Sequence, residues 1–204
     1  MASAAATSSA ASGPPVGARG QDPAARGVGA DHFRALAGSL PTGVCVLTTL
    51  DAAGRPVGMT SGAVCGLSRV PPLLLACLDT TSRTLGALLQ RATFGVNILA
   101  ADAAWLSDRF AGDAPDRFAG VPWTPGPHGI PILTEGVVAH AICEVYRTVH
   151  AGDHLIVLGL ITDGEHHPDA DPLLYHRHHY SGFQPHSSAE RSRTPRDTPH
   201  PATI

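Results

Sequence analysis

The chain has 204 residues, 43% of them apolar, and its 14 basic and 17 acidic side chains leave a formal charge of −3. That length favours one domain with a substantial core. No apolar run approaches the roughly 20 residues of a membrane-spanning helix, and the acidic balance, with many arginines in the tails, gives no basic surface for nucleic acid.

Residues 1–30 are mostly Ala, Ser, Gly and Pro. They bury too little apolar area to offset chain entropy, so a disordered tail is expected. They also lack the apolar stretch of a secretory leader, which points to the cytoplasm. Asp31 is placed to N-cap a helix carrying Phe33, Leu36, Ala37 and Leu40, and Pro41 and Gly43 end it. Residues 44–50 read as a strand rich in β-branched side chains. A turn through Asp51-Ala52-Ala53-Gly54 leads into a second strand over 57–67, as in a hairpin. The continuous apolar run 73–78 reads as a strand buried on both faces.

Residues 82–91 read as a short helix with Leu85, Leu88 and Leu89 on one side, and 94–99 as a strand. Asp102 is expected to cap a second short helix bearing Trp105, Leu106 and Phe110. Residues 117–132, rich in Pro and Gly, are expected to form an ordered loop. Two long strands follow, over 134–146 and 154–162, and Leu173-Leu174-Tyr175 closes the core. Residues 184–204 resemble the N-terminal tail in composition, so the folded domain is expected at 31–183. Strands joined by turns, not alternating with helices, argue against a doubly wound parallel sheet. The expected fold is mainly β, an antiparallel barrel with a few peripheral short helices.

There is no G-x-G-x-x-G between a strand and a helix, no P-loop and no G-x-S-x-G elbow. Chemistry is therefore sought elsewhere. Ser82, Arg83 and Thr84 bring two hydroxyls and a cation to a helix start, whose unpaired N–H groups favour an anion. Ser82 also fits a plain N-cap, and the two roles are compatible. The small residues from Gly58 to Ala63 would let a planar ring lie against the backbone. Main-chain N–H groups there would meet the negative charge that grows at N1 and C2=O of a flavin accepting a hydride. The same stretch also fits a strand edge with a Gly bulge.

His154, behind the Gly152-Asp153 turn, is placed to border such a site, and equally to be a hydrogen-bonded turn histidine. Arg109, beside Phe110 at the end of the second helix, fits either a phosphate ligand or a solvated surface arginine. Cys45, Cys65, Cys77 and Cys143 show no C-x-x-C spacing and read as small buried hydrophobes of a reducing compartment. His166, His167, His176, His178 and His179 lack converging ligand geometry and read as solvent-facing, so no metal is expected.

Taken in order, these segments resemble a known family. The matching stretches are Pro41-Thr42-Gly43-Val44, Thr48-Thr49, Gly54-Arg55-Pro56, Gly58-Met59-Thr60, Pro71-Pro72-Leu73 and Ser82-Arg83-Thr84. They continue with Phe94, Val96-Asn97, Asp116-Arg117-Phe118, Gly120-Val121, Trp123, Gly152-Asp153-His154 and Pro172-Leu173-Leu174-Tyr175. Each is weak alone, but the ordered series is specific and spans nearly all of 31–183. The chain is similar to the short flavin reductases of two-component monooxygenases, of the FMN-binding split-barrel group.

The resemblance implies a homodimer with flavin near the subunit interface. It implies hydride transfer from NADH or NADPH to FMN or FAD, and delivery of reduced flavin to a transient oxygenase partner. By the same resemblance Val57, Gly58, Met59, Thr60, Ser61, Gly62 and Ala63 lie against the ring. Cys77, Leu78 and Asp79 line the ribityl chain, and Ser82, Arg83 and Thr84 bind the phosphate with Arg109 and Phe110 nearby. His154 borders the nicotinamide, and Asn97 reads as structural. This chain departs from the family at Gly62 and Ala63, where polar residues are usual; two side-chain hydrogen bonds to the flavin are then missing, which suits a flavin released as product. A tightly held FMN serving another small-substrate enzyme, and a non-enzymatic flavin carrier, are the alternatives.

Overall fold

A computed structural model describes residues 27–184. The disordered tails expected at either end fall outside the described residues, except for 27–30 and Gln184. The chain divides into two compact units, residues 1–37 and 38–204. The first contributes one described helix, α1 (Ala30–Ala37), with no buried residue. It starts two residues earlier than expected, so Asp31 sits in the first turn and not at the cap. There its carboxylate meets the helix dipole and accepts from Arg34 Nη1 at 2.6 Å.

The second unit is built on a seven-stranded antiparallel sheet. In chain order its strands are β2 (Cys45–Leu50), β3 (Pro56–Ser61), β4 (Val64–Arg69), β5 (Pro72–Asp79), β6 (Thr93–Leu99), β9 (Val137–Ala151) and β10 (His154–His166). Their order across the sheet is β3-β2-β6-β9-β10-β5-β4. The two edge strands, β3 and β4, are consecutive in the chain and joined only by Gly62 and Ala63, so the sheet must curl back on itself as an open barrel. The mainly β, antiparallel expectation holds.

The single strand expected over 57–67 is instead these two edge strands. The break falls at Gly62, where a Cβ would lie 2.7 Å from Thr42 Oγ1, so a larger residue there would have to displace the Thr42 side chain.

Two further sheets complete the unit. β1 (Thr42–Gly43), β11 (Leu173–His176) and β12 (His179–Gly182) form one, and β7 (Trp123–Pro125) and β8 (Pro131–Leu133) the other. The stretch expected as loop thus holds a small hairpin around a 3-10 turn at Pro127–Gly129. β12 carries no apolar run, and its turn residues Arg177 and His178 take positive φ (49° and 66°) without the Asn-Gly signal that marks such turns.

β2 lies between β3 and β6 and is buried at every position but Leu50. Its side chains alternate between two cores. Cys45 and Leu47 join Leu78, Leu85, Leu88 and Phe94 on one face. Val46, with Val44 just ahead of the strand, joins Leu99, Leu106, Phe110 and Phe118 on the other. Asn97, 1% exposed, donates to Val46 O at 3.1 Å and accepts from Leu133 N at 2.9 Å, tying β6 to β2 and β8 as the structural residue it was read to be.

α2 (Arg83–Arg91) begins at the N-cap Ser82, as its sequence predicts. α3 (Ala104–Ala111) begins after Ala103, with no side-chain cap; Asp102 stands one position too early to reach the helix N–H groups. Cys45 and Cys143 are buried, and burial pushes both thiols up to about 12. Cys65 is exposed, against expectation, because β4 is an edge strand.

Candidate functional site

An open cleft of about 1080 Å³ lies between β3, the start of α2, the β2–β3 turn and the 111–118 segment. That is the upper end of the roughly 300–1,000 Å³ typical of small-molecule sites.

The α2 wall is built by short-range hydrogen bonds. Asp79 ends β5 and accepts from Thr81 N at 2.7 Å and Thr81 Oγ1 at 2.6 Å. Those bonds, with the nearby His154, hold its carboxyl below the ordinary value. Ser82 N donates to Asp79 O at 3.0 Å, which seats Ser82 at the cap, where its Oγ accepts from Leu85 N at 3.4 Å and donates to Met59 Sδ at 3.2 Å. Among the described residues no group accepts from the N–H of Arg83 or Thr84, and the exposed Arg83 guanidinium has no anionic partner. The wall offers unpaired donors and a free cation at the positive end of a helix.

The opposite wall is clamped by arginines. Arg117 Nε donates to Gly112 O at 2.8 Å and Nη1 to Gly58 O at 2.9 Å. Arg109 donates to the carbonyls of Asp116, Arg117 and Ala119 at 3.0, 3.1 and 2.9 Å. Behind this wall Phe118 packs edge-on against Phe110 (5.0 Å between centroids) and Trp123 (6.0 Å).

The floor is β3. As an edge strand it leaves one row of N–H and C=O groups unpaired by the sheet. Thr60 Oγ1 donates to Ser107 O at 2.7 Å, fixing the strand to α3. At the mouth, Asp51 accepts from the Ala53 and Arg55 amides and from the Arg55 side chain, and these bonds, the Arg55 amide first, hold its carboxyl below the ordinary value.

The cleft gathers Val57, Gly58, Met59 and Thr60 on the floor, Ser82, Arg83 and Thr84 at the helix mouth, and Phe110 behind. The remaining expected residues lie outside its lining. Ser61 is buried under the strand end with its Oγ accepting from Ala63 N at 3.2 Å. Leu78, 1% exposed, belongs to the core, so its side chain faces away from the cleft; Cys77 is half-buried beside it in β5. Asp79 acts through the turn that seats Ser82.

Two expectations need correction. Arg109 does not offer its guanidinium to a phosphate, because the three loop carbonyls already take it. The gap at Gly58 does not admit a foreign ring either: a Cβ there would meet Leu47 O at 2.9 Å and Phe110 Cε1 at 3.0 Å, so Phe110 already fills it. His154 stands directly across from Asp79 on β10, with Nδ1 2.8 Å from Asp153 Oδ1. It is half-exposed beside the strand end that leads into α2, not within the cleft. His166, His167, His176, His178 and His179 are exposed.

Sequence reading passed over Asp51, Arg55, Arg117 and Trp123 as site residues. The Asp51–Arg55 spacing gave a usable signal, a charged pair across a tight turn. The role of Arg117 gave none, since its partners lie 5 and 59 positions away.

The donor set suits a planar heterocycle with a phosphate tail: an anion site at the helix mouth, adjoining a strand edge with unpaired main-chain groups. Residues 37–184 match the model of the flavin reductase like domain. A flavin reductase (NADH) of Kitasatospora aureofaciens is 46% identical over 156 residues, which cover 76% of this chain and 82% of that protein. The reductase subunit HsaB of a flavin-dependent monooxygenase of Rhodococcus jostii is 38% identical over 162 residues, 79% of this chain and 82% of that protein. Among solved structures, the NADH:FAD oxidoreductase SgcE6 of Streptomyces globisporus, in complex with NAD and FAD fragments, superposes with a TM-score of 0.72 at 31% identity, covering 80% of this chain and 96% of that one.

Proposed function

The chain belongs to the flavin reductase like domain family, and from that premise we propose that it is an NAD(P)H-dependent flavin reductase supplying reduced flavin to a partner monooxygenase. The observation that carries this reading is the helix mouth at Ser82, Arg83 and Thr84, with unpaired N–H groups opening onto the edge strand β3 in one cleft.

FMN or FAD, when bound, supplies the acceptor for a hydride from reduced nicotinamide. Ser82, Arg83 and Thr84 hold its phosphate by charge-assisted hydrogen bonds. The free edge of β3 from Val57 to Thr60 would meet the ring, and its N–H groups would stabilise the charge that grows there. Phe110, Phe118 and Trp123 close the back of the cleft against water. Arg117 holds β3 and the 112–117 segment at a fixed separation, so the two reactants meet in one orientation, which is most of the catalytic task. His154 borders the nicotinamide.

Gly62 and Ala63 offer no side-chain hydrogen bond to the ring, which suits a flavin that leaves as product. We place the catalytic domain at 31–183 and propose that it works as a homodimer. Leu67, Val70, Tyr146 and Val149 expose 47%, 92%, 57% and 40% of their surface, apolar area that a second copy would cover. Its four free thiols suit a reducing compartment, which we take to be the cytoplasm.

The test is steady-state nicotinamide oxidation with NADH and NADPH, each against riboflavin, FMN and FAD. The expected result is turnover with at least one phosphorylated flavin; no turnover in any pairing overturns the reading.

A further inference from the structure

Met59 is the one methionine beyond the initiator position, the chain holding two in all. It is half-buried on β3 and lines the cleft. Its side chain packs on the core cluster that holds Leu47 and Leu85, and its Sδ accepts the Ser82 hydroxyl at 3.2 Å. A thioether is a weak acceptor, so an anion at the helix mouth readily takes that proton instead. A sulfoxide is a strong acceptor and a polar group. It would keep the Ser82 proton, and it could not rest on the apolar cluster without losing its hydration.

The buried thiols of Cys45 and Cys143 are pushed up to about 12 and burial raises that of Cys77, so these three hold little reactive thiolate. The thioether needs no deprotonation to react.

We propose that Met59 is a peroxide-oxidation site whose sulfoxide closes the cleft to phosphorylated flavin. The source of peroxide rests on the reductase reading above. Reduced flavin not taken by an oxygenase gives a hydride and a proton to dioxygen, forming oxidised flavin and hydrogen peroxide. The Met59 sulfur lone pair then attacks one peroxide oxygen. The O–O bond breaks, an S–O bond forms, and the second oxygen leaves as water after a proton shift. Sulfur is oxidised by two electrons and peroxide reduced by two. Uncoupled turnover therefore silences the reductase, and methionine sulfoxide reductase restores it.

The experiment exposes the full chain to hydrogen peroxide without nicotinamide, then reads the Met59 peptide by mass spectrometry and flavin affinity by fluorescence titration. Expected are one added oxygen on that peptide, an FMN Kd raised about tenfold or more, a smaller change for riboflavin, and recovery with methionine sulfoxide reductase. In a second arm, turnover with NADH, flavin and air oxidises Met59, and catalase prevents it. Met59→Leu keeps through peroxide exposure whatever FMN affinity it starts with; should that variant fail to fold, enzymatic rescue of the wild type makes the same decision.

Affinity lost with Met59 unmodified, Met59 oxidised with affinity unchanged, equal loss in Met59→Leu, or turnover that leaves Met59 intact would each overturn the proposal. The peroxide arm needs no turnover. A protein that oxidises at Met59 and loses flavin affinity but never consumes nicotinamide would instead overturn the reductase reading, and with it the proposed source of peroxide.

Discussion

The two walls of the cleft spend their polar groups in opposite ways. On the α2 side, Ser82 is held by one amide and one sulfur, the N–H groups of Arg83 and Thr84 have no acceptor among the described residues, and the Arg83 guanidinium is free. On the other side, Arg109 and Arg117 commit their guanidiniums to five backbone carbonyls. The first wall leaves its donors open to the cleft, and the second is a brace. Two arginines with the same charge, Arg83 and Arg109, thus differ in surroundings, because one meets solvent and the other meets a loop.

That contrast can be broken by mutation. The largest effect is expected from Ser82→Ala combined with Thr84→Ala. FMN affinity should fall about a hundredfold, as two hydrogen bonds to a charged group are lost, while riboflavin affinity changes little. Equal loss for both flavins in a binding titration would place the phosphate elsewhere. Arg117→Ala should next destabilise the fold by about 3 kcal/mol in urea unfolding, since two part-buried carbonyls lose a charged donor. Arg83→Ala should leave that unfolding curve within about 0.5 kcal/mol yet weaken FMN binding about tenfold. If the two variants exchanged phenotypes, the division into binding wall and brace would be wrong.

His154→Ala should raise the nicotinamide KM severalfold, about 1 kcal/mol of lost ground-state contact, with flavin Kd nearly unchanged. The smallest effect concerns acid. The Asp79 carboxyl sits below its ordinary 3.8 because Thr81 donates to it twice. The folded state then binds fewer protons than the unfolded state near that value. The stabilisation is therefore complete above 3.8 and is lost as pH falls through the lowered folded value. Asp79→Asn should flatten that acid limb in urea midpoints measured across pH, and an unchanged limb would show that Asp79 does not contribute to it.

The same division runs through what could be read from residues alone. The cap at Ser82, the strand β2 and the mainly antiparallel β architecture were legible because their causes lie within a few positions: a hydroxyl ahead of an apolar helix, a run rich in β-branched side chains, turn residues between strands. The open N–H groups at the start of α2 followed directly from that local chemistry. Arg109, the break at Gly62 and the strand β12 were not legible. Each depends on a partner brought close by folding: the loop at 116–119, Thr42, and a turn through Arg177 and His178 that lacks the usual residues. Met59 shows both sides at once, since its place on a strand was readable and its contact with Ser82, 23 positions away, was not.

By itself, then, the sequence determined most of the elements, the antiparallel class and the cap that starts α2, because hydrogen bonds and apolar periodicity over a few residues dictate them, and its ordered series of short motifs carried the family resemblance. Tertiary structure alone decided which guanidinium stays free, which glycine gap is already filled by Phe110, and which side chains share the cleft. Those outcomes depend on competition among distant donors and acceptors for the same space, and the competition has no winner until the sheet has curled and its edges are set.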